Sequence, residues 1–153
     1  MDLEYGPEYQ DFTKEVQGFC KKYKGLSFTN GSNNPLGSSG GSGGPEMSRS
    51  EWQKTLIDNG YFARSVPKEY GGYGGEVDIL KSRIIAAEFS KSKTPGAMGG
   101  QGIDMLVPTL LEMGTEEQKQ AYIKPTLHGE MIWCQGYSEP NAGSDLASLQ
   151  TKG

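Results

Sequence analysis

The chain has 153 residues, 34% of them hydrophobic, and its 15 Lys and Arg against 19 Asp and Glu give a net charge of -4. This length suits one domain with its own core. An acidic chain without a basic run lacks the phosphate-neutralising surface of nucleic-acid binders, so we expect no nucleic-acid partner. No stretch reaches the ~20 apolar residues of a membrane span, and residues 1–10 lack the layout of a secretory signal. We therefore expect a cytoplasmic protein with no membrane span.

Two cysteines and one histidine limit the metal and redox chemistry. Cys20 and Cys134 lie far apart, and in a chain without a secretory signal we expect them to be small buried side chains, not a disulfide. His128 has no cysteine partner at zinc-ligand spacing, so no metal site is expected. We expect His128 on the surface at a helix end, where a partly positive imidazole suits the helix dipole.

Apolar residues at helical spacing predict two helices in the first part of the chain. The first runs from about residue 6 to 24, and the second from 48 to about 59, with Ser48 as N-cap, Glu51 at the third helical position and Gly60 ending it. The side chains expected in the core are Tyr5, Tyr9, Phe12, Val16, Phe19 and Tyr23 of the first helix, and Trp52, Leu56 and Ile57 of the second.

A Gly- and Ser-rich segment separates these two helices. Residues 37–44 read GSSGGSGG within a polar stretch of about 29–47. Such a composition cannot bury enough apolar surface to offset the entropy of ordering, so we expect a flexible surface connection. An engineered linker and a natural hypervariable loop both fit. No Lys-Ser or Lys-Thr pair follows the glycines, which excludes a phosphate-binding loop.

A loop and a third helix follow. Residues 61–76 contain four glycines and a proline among aromatic residues, which predicts a loop held by Tyr and Phe side chains and not by regular backbone bonds. The third helix is expected from Val77 to Lys91. Its apolar positions are Val77, Leu80, Ile84, Ile85 and Phe89.

Two more helices complete the helical part. The segment 103–113 is apolar on most of its faces, so we expect the fourth helix to be the central one. Thr115 and Gln118 form a capping-box pattern at the start of a fifth helix, which should run to about Leu127. A break or bend is expected at Pro125, because proline removes a backbone donor.

The pattern changes to alternation after Gly129. Residues 131, 133, 135 and 137 fall on one side of an extended chain and the residues between them on the other, which predicts a strand. The ~20 residues that remain are too few to complete a sheet. We therefore expect residues 1–129 to be a helical domain and residues 130–153 to be the start of a β-domain that belongs to something larger.

The residues after that strand carry a recognisable motif. By itself EPNAGSD, residues 139–145, predicts a turn. In context, WCQGYSEPNAGSDLASLQT resembles the first signature of the acyl-CoA dehydrogenase family of flavoproteins, an aromatic-rich strand followed by Ser/Thr-Glu-Pro-x-Ala-Gly-Ser-Asp. Upstream, VPKEYGGYGGE resembles the loop before the family's third helix, and PTLLEMGTEEQKQAYIKPTLHGE resembles two helices and the connector into its β-domain. The resemblance covers about residues 51–151.

The resemblance implies both a fold and a function. The fold is mainly α, an N-terminal helical domain of about five helices followed by the first strand of a truncated β-domain. The function is FAD-dependent α,β-desaturation of an acyl-CoA thioester, in which a glutamate removes the α-proton and the β-hydrogen leaves as hydride. That glutamate lies in a C-terminal domain of the family, so no catalytic residue is expected among these residues. Glu139 is expected to be structural, buried in the turn.

The resemblance also implies partners and binding residues. Electron-transfer flavoprotein would accept the electrons, and a homo- or hetero-oligomer, a dimer or tetramer, is expected. Ser144 and the segment that begins at residue 101 would contact the acyl-CoA, the latter at the closed end of the acyl pocket. The residues implied for FAD are Gln135, Gly136, Tyr137, Ser138, Gly143 and Ser144, and those implied for the substrate are Ser144, Gln101, Ile103 and Met105, with Met98 beside them.

Two features bear on the choice of substrate and of function class. The WCQGYSEP form of the motif resembles the branch of the family that takes unusual acyl groups, such as dicarboxylic, branched or steroid-derived ones. The alternative to an enzyme is a helical binding or assembly module that keeps the family's scaffold without its chemistry.

Overall fold

The computed structural model describes residues 6–29 and 43–152. The elements in these residues are α1 (Pro7–Lys22), β1 (Ser27–Phe28), β2 (Glu46–Met47), α2 (Arg49–Asp58), α3 (Ile79–Ser92), α4 (Val107–Met113) and α5 (Glu116–Leu127). The predicted mainly α fold with about five helices is confirmed. None of the helices in this part of the chain has the length and apolar content that a membrane span needs.

Strands β1 and β2 form a small parallel pair beside the predicted linker. Ser27 pairs with Glu46 and Phe28 with Met47, and the backbone N–H of Thr29 donates to the carbonyl of Met47 at 3.1 Å. The prediction of a flexible linker over residues 29–47 is therefore wrong at its C-terminal end, because residues 46 and 47 have backbone partners in β1. The Gly/Ser prediction for residues 30–42 lies outside the described residues.

Local signals fix where the helices begin. The Ser48 hydroxyl accepts the Glu51 N–H at 3.2 Å while the Glu51 carboxylate accepts the Ser48 N–H at 2.6 Å. Thr115 and Gln118 form the same reciprocal pair at the start of α5. Both predicted capping boxes are confirmed. Helix α5 continues through Pro125 to Leu127 without a break, because this proline lies in the last turn, where only one carbonyl loses its helical donor.

The first core cluster joins α1, α2 and α3 through aromatic rings. Phe19 stacks on Phe89 with ring centroids 5.9 Å apart and on Trp52 at 5.6 Å. The buried members are Val16, Phe19, Cys20, Trp52, Leu56, Ile84 and Phe89. The aromatic stripe predicted for α1 supplies buried or partly buried side chains at each of its described positions, from Tyr9 to Tyr23. Tyr5 lies outside the described residues.

The second core cluster joins α2, the loop after it, α4 and α5. Its buried members are Ile57, Val66, Tyr70, Val107, Ile123 and Leu127. The loop is tied to α5 because the Tyr70 hydroxyl donates to the Glu116 carboxylate at 2.6 Å, a bond that raises the pKa of Tyr70 to about 12.

The loop over residues 61–76 has more backbone order than predicted. A short 3-10 turn spans Lys68–Tyr70, and the N–H groups of Tyr73 and Gly74 donate to the carbonyls of Ala63 and Val66 at 3.1 and 2.8 Å. The predicted anchoring by aromatic side chains is present at Tyr70, but the expectation of few backbone bonds is wrong. Closely spaced glycines allow the chain to fold back on itself, so its own carbonyls come within reach of its N–H groups.

The structure differs from the predictions for α3 and α4. Helix α3 begins at Ile79, two residues after the predicted start, and of its marked apolar positions Ile84 and Phe89 are buried while Val77 and Leu80 are 79% and 38% exposed. Helix α4 is not central, because Val107 is its only buried side chain and Met113 is 78% exposed. Within the described residues Leu110 and Leu111 of α4 are partly buried against the second core cluster, and Met113 faces outwards.

Gln53 links both clusters to the segments that follow. It lies on α2 between the core residues Trp52 and Leu56, and its side chain is fully buried. Its Nε2 donates to the Leu127 carbonyl at 3.0 Å, and its Oε1 accepts the Met98 N–H at 2.8 Å. A buried amide with both ends bonded fixes the end of α5 and the segment before α4 relative to α2.

Replacing Gln53 by methionine should destabilise the fold without changing side-chain volume greatly. The change leaves a buried carbonyl and a buried N–H without partners, which costs on the order of 1–3 kcal/mol in the free energy of unfolding. Urea denaturation followed by circular dichroism measures this, with Gln120→Met on the exposed surface of α5 as the control. Equal midpoints for the two variants would contradict the bridging role.

Candidate functional site

A cavity of about 220 Å³ lies between the segment before α4 and the segment after α5. It contains two of the predicted substrate residues, Gln101 and Ile103, and also Met98. Its lining is Met98, Gly99, Gly100, Gln101, Gly102, Ile103, Thr126, Gly129, Met131, Ile132 and Trp133. Most of these side chains are apolar, and Gln101 and Thr126 supply the polar side-chain groups. Met105 is outside this lining and is 48% exposed.

A π-helical turn over Gly102–Leu106 leads into α4 and forms one wall. Pro108 in the first turn of α4 has no N–H to donate to the Asp104 carbonyl, and a wider turn just before it accommodates that loss. The Asp104 carboxylate accepts the Gly100 N–H at 2.9 Å, which closes the start of the turn. This arrangement places Gln101 and Ile103 at the cavity.

Trp133 forms the opposite wall. Its indole Nε1 donates to the Thr126 hydroxyl at 2.8 Å, and its ring meets Tyr122 edge-on with centroids 5.6 Å apart. Gly102 is required for this fit, because a Cβ there would collide with the Trp133 ring and would lie 2.9 Å from the Thr126 methyl. The two walls are therefore complementary in shape.

A pair of glutamines joins the predicted substrate residues to the predicted flavin residues. Gln101 Nε2 donates to Gln135 Oε1 at 3.0 Å. Gln135 Nε2 in turn donates to the thioether of Met105 at 3.3 Å. The structure thus brings Gln135 into contact with two predicted substrate residues, which lie 34 and 30 positions before it in the sequence.

The residues predicted for FAD form an open, donor-rich surface. All six are exposed, and Tyr137 has 82% of its surface accessible. In the described part of the chain, the backbone N–H groups of residues 135–138 and 143–144 have no backbone acceptor. A Cβ at Gly143 would make an ordinary van der Waals contact, 3.6 Å from the Ser138 hydroxyl, so no close contact within the described residues requires a glycine here. Ser144 is distant in sequence from the cavity residues, and it is not part of the cavity lining.

Glu139 closes the loop that carries Gly143 and Ser144. Its carboxylate accepts the Gln150 N–H at 2.9 Å and also the N–H and hydroxyl of Thr151. These bonds, led by the one from the Thr151 side chain, hold the pKa of Glu139 below its ordinary value. Glu139 is half-buried, so it has the expected structural bonds but is not fully buried in the turn.

Three predictions around the site are wrong. Cys134 is exposed, although Cys20 is buried as expected, and both are free thiols. The His128 side chain is only 13% exposed, and burial followed by the nearby Lys54 charge lowers its pKa, so it is neutral and not partly positive. Residues 131–138 form no strand ladder, because no neighbouring strand in the described residues bonds to their backbone. Their side chains nevertheless alternate at first, with Ile132 94% exposed between the half-buried Met131 and Trp133.

Sequence reasoning did not identify Thr126 or Gly102 as parts of the site. Thr126 is 2% exposed on a helix whose other buried residues are apolar, and a polar residue in such a position is the one local signal for it. No group of three or more His, Cys, Asp or Glu among residues 6–29 and 43–152 is arranged to hold a metal ion.

Comparison with known proteins identifies relatives of the part of the chain that forms the cavity. The family described as "Acyl-CoA dehydrogenase, N-terminal domain" matches residues 43–130. The acyl-CoA dehydrogenase IpdE1 of Mycolicibacterium smegmatis is 37% identical over 103 residues, which is 67% of this chain and 26% of that protein. The acyl-CoA dehydrogenase FadE34 of Mycobacterium tuberculosis is 41% identical over 109 residues, 71% of this chain and 14% of that protein.

Solved structures show the same fold. The ChsE4-ChsE5 complex from Mycobacterium tuberculosis matches with a TM-score of 0.57 and 27% identity, over 99% of this chain and 35% of that one. A steroid ACAD, Tcur3481-Tcur3483, matches with a TM-score of 0.54 and 27% identity, over 99% of this chain and 37% of that one. The chain spans about a quarter or less of the length of the curated relatives named above.

Gly102→Ala should displace the Trp133 ring. The added methyl group occupies the space of the indole, so the environment of Trp133 changes while that of Trp52 in the first core cluster does not. Fluorine NMR of fluorotryptophan-labelled protein resolves the two tryptophans, and only the Trp133 resonance should shift. Gly96→Ala is the control, because a Cβ at Gly96 meets nothing within 4 Å. Equal spectra for the two variants would contradict the close packing.

Acidification should open the loop that Glu139 closes. Because the folded pKa lies below the ordinary value of about 4.3, the carboxylate's contribution is present above that pH and is lost as the pH falls through the folded pKa. Amide hydrogen exchange at Gln150 and Thr151, corrected for the intrinsic pH dependence, should therefore show protection at neutral pH that disappears in acid. Glu139→Gln should remove this dependence, and an unchanged pH profile in that variant would contradict the assignment.

Proposed function

The chain belongs to the acyl-CoA dehydrogenase family, and we propose that it forms the N-terminal helical part of an FAD-dependent enzyme that desaturates an acyl-CoA thioester. The observation that carries the proposal is the 3.0 Å bond between Gln101 at the cavity and Gln135 in the exposed, donor-rich segment. Oxidation of a C–H bond requires that the substrate and the electron acceptor lie side by side. The bond between Gln101 and Gln135 joins the cavity proposed for the acyl group to the segment proposed for the flavin.

The residues present fit a flavin. An isoalloxazine edge and a pyrophosphate both accept hydrogen bonds, and the backbone N–H groups of residues 135–138 and 143–144 are donors without a backbone acceptor in the described chain. The Ser138 and Ser144 hydroxyls are exposed beside them. Members of the family generally use FAD. We assign the backbone N–H groups of Gln135, Gly136, Tyr137 and Ser138 to the ring and those of Gly143 and Ser144 to the pyrophosphate.

The chain's own residues would bind and orient the reactants. When bound, FAD supplies an acceptor for the hydride that leaves the β-carbon of the substrate. The cavity bounded by Ile103 and Trp133 would hold the acyl end and exclude water from it. Ser144 would contact the substrate from the pyrophosphate side, and Gln101 and Met105 would fix the acyl group relative to Gln135. The base that removes the α-proton is not assigned to any residue of this chain.

Partners and location belong to the same proposal. The two matching structures are each named as a pair of proteins, which supports assembly of this chain into a homo- or hetero-oligomer. Electron-transfer flavoprotein is the proposed electron acceptor, and the cytoplasm is the proposed compartment. The acyl-CoA is the proposed substrate, in line with the names of the curated relatives.

Ser144→Ala in the complete protein should weaken FAD or substrate retention. Losing one hydrogen bond to a charged group costs about 1–2 kcal/mol, or roughly a five- to thirtyfold rise in Kd or KM. Flavin content after dialysis and the KM for acyl-CoA measure the two effects. Ser90→Ala on the exposed face of α3 is the matched control.

Two results would oppose the proposal in different ways. Unchanged flavin retention and KM in Ser144→Ala would contradict the role of Ser144 alone. A complete protein that retains no added FAD and reduces none with acyl-CoAs would contradict the enzyme and favour a helical binding or assembly module.

A further inference from the structure

We propose that the side-chain amides of Gln101 and Gln135 form a binding site for a neutral oxygen function, a hydroxyl or a ketone, on the acyl group of the substrate. This inference rests on the proposed function, since it specifies the acyl group that the same site takes.

The two amides are exposed and bonded to each other. Gln101 Nε2 donates to Gln135 Oε1 at 3.0 Å, and Gln135 Nε2 donates to the Met105 thioether at 3.3 Å. The pair therefore joins the π-helical turn to the segment proposed to contact the flavin.

Each amide keeps unused hydrogen-bonding capacity. A primary amide has two donor hydrogens and an acceptor oxygen with two lone pairs. In the described chain no group donates to Gln101 Oε1, and each Nε2 uses one of its two hydrogens in the bonds above. A hydroxyl can donate to the free oxygen and accept from a free N–H, and a ketone can accept from one or both N–H groups. A plain alkyl chain would cover these groups and leave them without partners, which is unfavourable.

The ligand of this site is the acyl group, because Gln101 lines the cavity and Gln135, outside the lining, is bonded to Gln101. Gln101 is a polar member of a lining that otherwise presents apolar side chains such as Met98, Ile103 and Trp133. The volume of about 220 Å³ is below the range typical of pockets for whole drug-sized ligands. The cavity thus accepts one end of a substrate, with an apolar body and one oxygen function.

The surrounding charges favour a neutral group over a carboxylate. The lining that the structure describes contains neither Lys nor Arg. A terminal carboxylate would therefore enter the cavity without a counter-charge, which is unfavourable. A neutral hydroxyl or ketone needs only hydrogen-bonding dipoles, which the amides supply.

The experiment compares CoA thioesters on the complete FAD-loaded enzyme. Hexanoyl-, octanoyl- and decanoyl-CoA are each tested beside their ω-hydroxy, ω-keto and ω-carboxy forms, with kcat/KM as the first readout. Calorimetric Kd values for the corresponding enoyl-CoA products give a second readout that does not depend on turnover. The variants are Gln101→Met and Gln101→Leu, with Gln120→Met as the exposed control and melting temperatures as the check on folding.

We expect the enzyme to prefer a hydroxy or keto form over its parent at one of these lengths, and not to prefer any carboxy form. Gln101→Met and Gln101→Leu should reduce that preference by roughly tenfold, the effect of losing one hydrogen bond, in both kcat/KM and Kd. Gln120→Met should leave it unchanged.

The contradicting results separate the two levels of inference. An enzyme that retains FAD and oxidises the plain acyl-CoAs but shows no oxygen preference, shows a carboxylate preference, or keeps its preference in both Gln101 variants would overturn this inference alone. A protein that retains no FAD and oxidises none of the thioesters would overturn the proposed function and this inference with it.

Discussion

The arrangement of the site depends on one buried amide, the side chain of Gln53. Its two bonds reach Leu127 at the end of α5 and Met98 before the π-helical turn, residues 74 and 45 positions away. Trp133 follows α5 in the sequence, and Gln101 follows Met98. Because Gln53 on α2 is bonded to Leu127 and to Met98, it positions both walls of the cavity. Because a buried amide must satisfy its donor and its acceptor, the spacing of the walls is fixed by hydrogen-bond geometry as well as by packing.

The packing of Trp133 also explains why the backbone N–H groups that follow it are available to ligands. The Trp133 indole is bonded to Thr126 and fitted against Gly102, which holds the start of the segment against the helices. Beyond Trp133 the backbone of residues 135–138 has no strand beside it in the described chain, so its N–H groups stay available. The glutamine pair at residues 101 and 135 then links this donor surface to the cavity. The apolar cavity suits the acyl group of an acyl-CoA, and the exposed backbone N–H groups of residues 135–138 suit a flavin.

Sequence patterns predicted what is decided locally. The capping boxes at Ser48 and Thr115 involve residues three positions apart, and the stripe on α1 follows from helical spacing alone, so both could be predicted. The family motif likewise placed the proposed flavin residues in one segment.

The central position expected for α4 failed because an apolar helix does not specify which of its faces meets a partner. The partly positive state expected for His128 failed because its pKa is lowered by burial and by Lys54, which comes from a distant part of the chain. The Gln53 bridge and the Gln101–Gln135 bond span 34 to 74 residues, and no local pattern encodes such pairings.

We propose that residues 135–138 and 143–144 form a wall of a flavin site next to the cavity. Amide hydrogen exchange of the complete protein, with and without FAD, detects each backbone N–H that gains an acceptor. Binding of FAD should slow exchange at these residues and leave exchange in α1 and α3 unchanged. Protection by FAD that falls elsewhere in the chain, with none at residues 135–138 or 143–144, would contradict it.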